Sequence, residues 1–306
     1  MDVIADFTSY LQGEDLSTLT ITGYVVDVRL FIDWFEKHNR EGFALASVTP
    51  IDVREYREYL QKEQGLKASS VNRKLASLAS LMRWALHAKQ IMEDPTRNVR
   101  SVRQAVVAPR WLDKKEQFAL QRAIEKDLQI SKLRYPKRWV TRRRDASMVL
   151  FMLHTGLRLS EILALELRDV QISERKGNVL VRHGKGNKER DIPLNTDARQ
   201  ALQEWLAVRP PVNSSFIWVA VEGLAVEGLS GREVQRVLKR YAQDAGLDGL
   251  TPHVLRHSFA KNLANRGVGL EKIAVLLGHS SLNTTRIYIT PDLKDLEFAV
   301  EQLEEK

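Results

Sequence analysis

The sequence contains no cysteine. This absence excludes disulfide bridges, thiol nucleophiles and cysteine-ligated metals, and it suits a reducing compartment. No stretch approaches the roughly 18 consecutive apolar residues of a membrane-spanning helix. Residues 1–16 also lack the basic and apolar segments of an export signal. We therefore expect a globular, cytoplasmic protein that contacts no membrane.

Positive charge is in excess and is unevenly placed. The 306 residues carry a net charge of +8, which favours a polyanionic partner such as nucleic acid. Residues 1–65 hold 6 Lys and Arg against 12 Asp and Glu, whereas residues 66–104 hold 8 against 2. Residues 132–144 form a second basic run without any acid, for which a solvated loop is the alternative. The candidates for DNA contact in these two segments are Lys67, Arg73, Lys74, Arg83, Arg142, Arg143 and Arg144.

Helical periodicity dominates the first hundred or so residues. Residues 20–35 place apolar side chains on one face, downstream of the potential cap Ser17. A second helix is predicted from Pro50 toward Gly65, and a third after Ser70. This part of the chain is predicted to be all-α.

Length and composition predict two domains joined by a linker. Residues 99–109 have neither helix caps nor clear periodicity, and a new helix start follows at Asp113. We assign residues 1–100 to a helical domain, 101–111 to the linker and 112–306 to a second domain. A basic linker would let the two domains close around DNA, and an ordinary hinge is the alternative.

The second domain is predicted to be mostly helical with a small antiparallel sheet. An apolar helix is expected after Asp145 and another over residues 159–170. Residues 178–182 and 189–194 are predicted to pair as a β-hairpin. Residues 292–306 carry one apolar stripe and are predicted to form a C-terminal amphipathic helix. The whole chain is therefore expected to be mainly α with an α+β second domain, and further helices should begin at Thr196, Gly231, Pro252 and Leu270.

Two basic residues occupy positions that suit phosphate binding. Arg158 precedes a predicted helix, where its guanidinium can contact two phosphate oxygens beside the helix N-terminus. A salt bridge to Glu161 or Asp169 is the alternative for Arg158. Lys185 lies between two glycines at the hairpin tip, where plain solvent exposure is the alternative.

The last third of the chain adds histidines and a tyrosine. His253 and Arg256 are three residues apart on a predicted helix and share one face, with His257 further round and equally able to be structural. His279 follows a glycine, and Tyr288 comes nine residues later. Taken alone, Tyr288 has the pattern of a core tyrosine.

The order of these motifs is more specific than any one of them. TGLR, GKG in a hairpin, HVLRH, LGHS and RIY follow one another. This order resembles that of the tyrosine recombinase, or phage-integrase, family, and the layout is nearest to its bacterial Xer-like and simple integrase members. TITGYVVDVRLFIDWF and SSVNRKLASLASLMRWALHAKQIMEDP resemble the family's helical core-binding domain. The long basic stretch 132–144, and ITP after the tyrosine where histidine is common, fit the family less well.

The resemblance implies a chemical role for each of these residues. Tyr288 would attack a DNA phosphate and form a 3′-phosphotyrosyl bond. Two arginines, Arg158 and Arg256, would stabilise the transition state, and Lys185 would protonate the leaving 5′ oxygen. His253 would accept the tyrosine proton.

His279 would orient the phosphate. The resemblance also implies a double-stranded DNA recombination site as substrate, a homotetramer in the synaptic complex, no cofactor and no catalytic metal; no accessory protein follows from the sequence. Residues 292–306 are expected to dock on a neighbouring subunit, with packing on their own domain as the alternative. The rival functions are a type IB topoisomerase and an architectural DNA-binding protein that has lost its activity.

Overall fold

The computed structural model describes residues 2–14, 16–104, 109–182, 189–221, 228–279, 281–288 and 300. The chain forms two compact units, Met1–Val107 and Ala108–Lys306. Lys185, residues 105–108 of the predicted linker and nearly all of the predicted helix 292–306 lie outside the described residues. None of the helices within these ranges is long and apolar enough to cross a membrane.

The first unit is helical where it is described, and local sequence explains where its helices begin. Ser17 caps the second helix by accepting a hydrogen bond from the Thr20 amide. Thr49 and Asp52 cap the third helix reciprocally, with Pro50 in its first turn. The predicted cap Ser17 and the start at Pro50 are confirmed. The helix predicted after Ser70 begins earlier, at Ala68, and the first helix was not predicted. The helices are α1 (Val3–Gly13), α2 (Thr18–Asn39), α3 (Pro50–Glu58), which continues into a π-helical turn (Tyr59–Glu63), and α4 (Ala68–His87).

Aromatic side chains fill the core of the first unit. The rings of Phe31 and Tyr56 meet edge to face at 5.0 Å between α2 and α3. Phe7 of α1 packs on Trp84 of α4 at 5.7 Å. All four side chains are buried, so the apolar face predicted for residues 20–35, which includes Phe31, is a face that packs.

The second unit combines eight helices with one small sheet among its described residues. The strands are antiparallel in the order β1-β2-β3, and Val179 of the central strand pairs with Val170 and with Ile192. The prediction of a mainly α chain with a small antiparallel sheet is confirmed. The elements are α5 (Lys114–Arg134), α6 (Pro136–Thr155), α7 (Leu159–Ala164), β1 (Val170–Ile172), β2 (Gly177–Val181), β3 (Arg190–Pro193), α8 (Thr196–Leu206), α9 (Gly231–Ala245), α10 (Pro252–Asn265), α11 (Leu270–Leu277) and α12 (Asn283–Arg286).

The basic run 132–144 is not the solvated loop considered as its alternative, because it spans the end of α5 and the first half of α6. One local prediction for the second unit is wrong. The helix expected over residues 159–170 ends at Ala164, where the Leu165 backbone turns to an extended conformation. The chain then forms β1, which pairs with β2. The backbone N–H and C=O groups of β1 thus make hydrogen bonds in the sheet that they would otherwise have made in a longer helix.

Candidate active site

Arg158 lies at the turn between α6 and α7. Gly156 ends α6 with a φ of 64°, and a side chain there would also collide with the ring of Phe259. The turn makes Arg158 the residue before the first turn of α7. Its amide donates to the Glu161 carboxylate at 2.8 Å, and its Nη1 donates to the same carboxylate at 2.7 Å. The salt bridge considered as an alternative for Arg158 is therefore present, and it fixes the guanidinium in place.

Glu161 also binds a second arginine that the sequence analysis did not single out. Arg190, the first residue of β3, donates from Nη1 and Nη2 to the two carboxylate oxygens at 3.0 and 2.8 Å. Burial raises the pKa of Glu161, but the hydrogen bonds from Arg190 and Arg158 outweigh it, and the pKa lies below its usual value. The carboxylate thus stays ionised and joins β3 to α7.

Arg256 lies on α10, which begins at Pro252. The side chain is almost fully buried, at 4% exposure. Its Nη1 donates to the Gly156 carbonyl at 2.8 Å and its Nη2 to the Leu277 carbonyl at 2.6 Å. Burial, followed by the charge of Arg158, lowers the pKa of Arg256 to about 10, so the guanidinium remains charged at neutral pH.

Three consecutive carbonyls at the end of α11 each accept a hydrogen bond from a different arginine. Arg190 Nε donates to Leu276 at 3.1 Å, Arg256 Nη2 to Leu277 at 2.6 Å and Arg158 Nη2 to Gly278 at 2.8 Å. These carbonyls carry the partial negative charge of a helix C-terminus. They hold the three guanidinium groups together despite their like charge.

His279 follows directly after this helix end. Its Nδ1 lies 2.9 Å from the hydroxyl of Thr285, which is buried. Burial lowers the pKa of His279 to about 4, with further contributions from the charges of Arg256 and Arg158. The ring is therefore neutral at neutral pH.

Tyr288 is buried and its hydroxyl contacts a histidine. The phenol oxygen lies 2.6 Å from Nδ1 of His257, and the side chain is 1% exposed. Burial raises the pKa of Tyr288, although the charges of Arg256 and Arg158 act to lower it. His253, the predicted proton acceptor, is exposed, and its ring lies 6.3 Å from that of His257. In this conformation the hydroxyl contact belongs to His257 and not to His253.

The structure therefore brings four predicted residues, Arg158, Arg256, His279 and Tyr288, around the end of α11. Sequence reasoning named Glu161 only as an alternative partner of Arg158, and it missed Arg190. Glu161 also carried a local signal, because an acidic residue three positions after the residue that caps a helix is a capping pattern. Arg190 carried none, since its neighbours in the site come from distant parts of the chain. Among the residues that the structure describes, no group of His, Asp or Glu is placed to hold a metal ion.

Two of the DNA-contact candidates on α4 are held by a buried acid. The carboxylate of Asp27, which is buried, accepts from Arg73 and, at 2.9 Å, from the Lys74 ammonium. The sequence pattern places Lys74 on the outer face of its helix, and this is wrong, because its side chain is only 11% exposed. Lys67 and Arg83 are exposed on the same unit and keep their place as predicted DNA contacts.

The three arginines predicted to bind DNA on α6 are engaged within the second unit. Arg144 is 6% exposed and donates to the Val219 carbonyl at 2.9 Å. It is a core residue and not a surface contact, so its prediction as a DNA-binding residue was wrong. Each arginine also meets a carboxylate: Arg142 lies 3.7 Å from Asp127, Arg143 pairs with Glu204, and Arg144 binds Asp145 at 2.7 Å.

Similar proteins agree with this arrangement. Residues 124–294 match the phage integrase family, and residues 4–89 match the phage integrase N-terminal SAM-like domain. The chain is similar to tyrosine recombinase XerD of Ralstonia nicotianae, with 31% identity over 94% of this chain and 89% of the relative. It is also similar to the TnP I resolvase of Bacillus thuringiensis, with 27% identity over 99% of this chain and 100% of the relative.

A solved structure shares the fold. The XerH site-specific recombinase, in a post-cleavage complex with a palindromic difH substrate, matches with a TM-score of 0.75 and 25% identity over 94% of this chain and 80% of that chain. The family resemblance inferred from the ordered motifs is confirmed. Because the family match spans more than half of the chain and the relatives align over nearly all of it, this chain belongs to the phage integrase family of tyrosine recombinases.

Proposed function

We propose that this tyrosine recombinase cleaves and rejoins DNA at a specific site through a covalent bond to Tyr288. The observation that carries the proposal is the arrangement at the end of α11. Arg158 and Arg256 are fixed by hydrogen bonds beside His279, and Tyr288 is close enough for both guanidinium charges to act on its pKa. A tyrosine hydroxyl next to fixed cationic donors suits attack on a phosphodiester.

In the proposed reaction, the Tyr288 oxygen forms a bond to phosphorus and the bond from phosphorus to the 5′ oxygen breaks. The products are a 3′-phosphotyrosyl enzyme and a free 5′-hydroxyl. Attack by a 5′-hydroxyl of another strand reverses the step, so the exchange needs no ATP. Lys185 is proposed to donate the proton to the leaving oxygen, and His253 to accept the proton of Tyr288.

Arg158 and Arg256 are proposed to stabilise the transition state. Their guanidinium groups retain further N–H donors beyond those bound to carbonyls and to Glu161, since each guanidinium has five. Removal of one such fixed donor costs about 3 kcal/mol of transition-state stabilisation, which is roughly a hundredfold in rate. His279, with its neutral ring, is proposed to orient the phosphate by hydrogen bonding.

DNA is the proposed substrate, in the cytoplasm, with four copies of the chain in the synaptic complex. XerH is described in complex with its difH substrate, both before and after cleavage. The first unit, which matches the N-terminal domain of the family, is proposed to bind the DNA core site, and residues 112–306 are proposed to be catalytic. Docking of residues 292–306 on a neighbouring copy would close the assembly.

A suicide duplex with a nick next to the scissile phosphate tests the proposal. The wild-type protein should form a covalent adduct that survives denaturing electrophoresis and persists in EDTA. Tyr288→Phe should abolish the adduct and leave the gel-shift affinity for the same duplex unchanged. An adduct with the variant would assign the nucleophile elsewhere. Relaxation of supercoiled DNA without strand exchange between two sites would identify a topoisomerase instead.

A further inference from the structure

The hydroxyl of Tyr288 is enclosed in the second unit and held by His257. The phenol oxygen lies 2.6 Å from His257 Nδ1, and the ring centroids are 5.5 Å apart. The tyrosine ring is buried in an apolar cluster with Ile273 and Leu277 of α11. The side chain is only 1% exposed, so the hydroxyl must move before it can contact a DNA phosphate.

Both partners of this hydrogen bond are neutral at neutral pH. Burial, followed by the charges of His253 and Arg256, lowers the pKa of His257 to about 4, so the ring is neutral at neutral pH. Burial raises the pKa of Tyr288. The hydrogen bond therefore joins a phenol that keeps its proton to a neutral imidazole, and the phenol is the donor when Nδ1 is the unprotonated ring nitrogen. An imidazole with a low pKa is a weak base toward a phenol with a raised pKa. The hydrogen bond therefore keeps Tyr288 in its protonated, unreactive form.

We propose that His257 is a positioning residue that holds Tyr288 in a withdrawn resting position, and that this hydrogen bond must break before the tyrosine can attack DNA. The inference rests on the proposed role of Tyr288 as nucleophile. His257 governs when the nucleophile is available, and it takes no part in the transfer of the phosphoryl group.

The hydrogen bonds of Arg256 and Arg158 connect phosphate binding to the release of Tyr288 from His257. Arg256, the neighbour of His257 in sequence, donates to the Leu277 carbonyl, and Leu277 packs in the cluster that encloses the Tyr288 ring. Arg158 donates to the next carbonyl, that of Gly278. A phosphate that attracts both guanidinium groups weakens their bonds to the end of α11. The surface against which Tyr288 packs is thereby loosened at the moment when substrate is present.

Two variants of one position separate the hydrogen bond from the packing. His257→Phe keeps a planar ring and removes the acceptor. His257→Asn places an amide oxygen near the position of Nδ1 and keeps an acceptor. In the DNA-free protein, acetylation of Tyr288 by N-acetylimidazole, followed by peptide mass spectrometry, reports release of the hydroxyl. Tyr135, which is 56% exposed in the same unit, is the internal standard.

Acetylation of Tyr288 should be about fivefold faster in His257→Phe than in the wild type, because one ordinary hydrogen bond corresponds to about that change in equilibrium. His257→Asn should restore most of the protection. Formation of the covalent adduct on the suicide duplex, measured in a single turnover at saturating DNA, should rise by a similar factor in His257→Phe. If the melting temperature of that variant falls sharply, His257→Ala is measured as a second removal of the acceptor.

Unchanged acetylation and adduct rates in His257→Phe and His257→Ala would overturn the proposal, and so would a slower adduct rate combined with faster acetylation, which would assign His257 to the chemical step. Neither result would affect the assignment of Tyr288 as nucleophile, which depends on Tyr288→Phe. Conversely, an adduct with Tyr288→Phe would remove the proposed function, while the acetylation rates would still report the hydrogen bond.

Discussion

At the scale of single residues, the site depends on one buried carboxylate. Glu161 accepts four hydrogen bonds, two from Arg158 and two from Arg190. Breaking a buried ion pair by removing one partner lowers the free energy of unfolding by about 3–5 kcal/mol, because the remaining charge is left unpaired in the interior. Glu161 thus keeps two arginines in place whose charges would otherwise repel each other.

Two neutral histidines give the folded protein a pH dependence. The pKa values of His257 and His279 are lowered to about 4, chiefly by burial, whereas the unfolded chain takes up these protons near the ordinary value of about 6.5. Between pH 6.5 and 4 the unfolded state therefore binds more protons, and the free energy of unfolding must fall as the pH falls.

We expect the free energy of unfolding from urea titrations to decrease between pH 6.5 and 5, a window above the titration of the carboxylates. The slope per histidine is at most about 1.4 kcal/mol per pH unit, and partial exposure of both rings reduces it. The double variant His257→Asn, His279→Asn should show a flatter profile. A wild-type profile that is level across this window would contradict the assignment of both rings as neutral.

At the scale of structural elements, the end of α11 is the most constrained point of the site. Gly278 has a φ of 64°, where only glycine is free of backbone strain, and a Cβ there would lie 2.8 Å from Nη1 of Arg190. The helix end therefore fits against the guanidinium because the residue has no side chain. Gly246 ends α9 with a φ of 66° and has open space around it.

These two glycines form a matched pair of tests. Gly278→Ala and Gly246→Ala should each lose about 1 kcal/mol of unfolding free energy from left-handed backbone strain. Only Gly278→Ala should also lower the adduct rate, by tenfold or more, because the added methyl group displaces Arg190 and with it Glu161. Equal adduct rates in the two variants, measured on the suicide duplex, would show that the close fit against Arg190 is not needed.

Helix starts were predictable from the sequence, because Ser17, Pro50 and Asp113 act through neighbours only a few residues away. The placement of the basic run 132–144 was not predictable from the sequence, since its arginines bind Asp127 and Glu204, which come near only in the folded chain. Periodicity could place a histidine on a face of α10, but it could not tell which ring meets a tyrosine from another segment. Local signals thus predicted elements and motif order, and long-range pairings required the structure.

At the scale of the whole molecule, the structure changes which cations are available to DNA. Arg144 is buried and Lys74 is bound to Asp27, whereas Lys67 and Arg83 are exposed in the basic half of the first unit. Exposed cations contribute to DNA affinity by releasing counterions from phosphates, and buried ones contribute to stability instead.

The double variant Lys67→Ala, Arg83→Ala should weaken DNA binding and reduce the slope of log affinity against log salt by about 1 for each phosphate that is no longer neutralised. Lys37→Ala, which removes an exposed lysine from the acidic half of the same unit, is the control and should leave the slope unchanged. Gel-shift titrations at several salt concentrations measure both. An unchanged slope in the double variant would place the DNA on another surface.

The grouping of arginines around Glu161 also fixes a charge balance. Three guanidinium groups, from Arg158, Arg190 and Arg256, meet at the end of α11, and two of them bind one carboxylate, that of Glu161, so this part of the site carries two net positive charges, three minus one. In the proposed reaction, a phosphodiester brings one negative charge to these arginines, and a second develops as the Tyr288 oxygen adds to phosphorus. Two net positive charges would balance the pentacoordinate transition state and exceed the charge of the bound substrate. The arginines would therefore stabilise the transition state more than the substrate, which is the condition for acceleration.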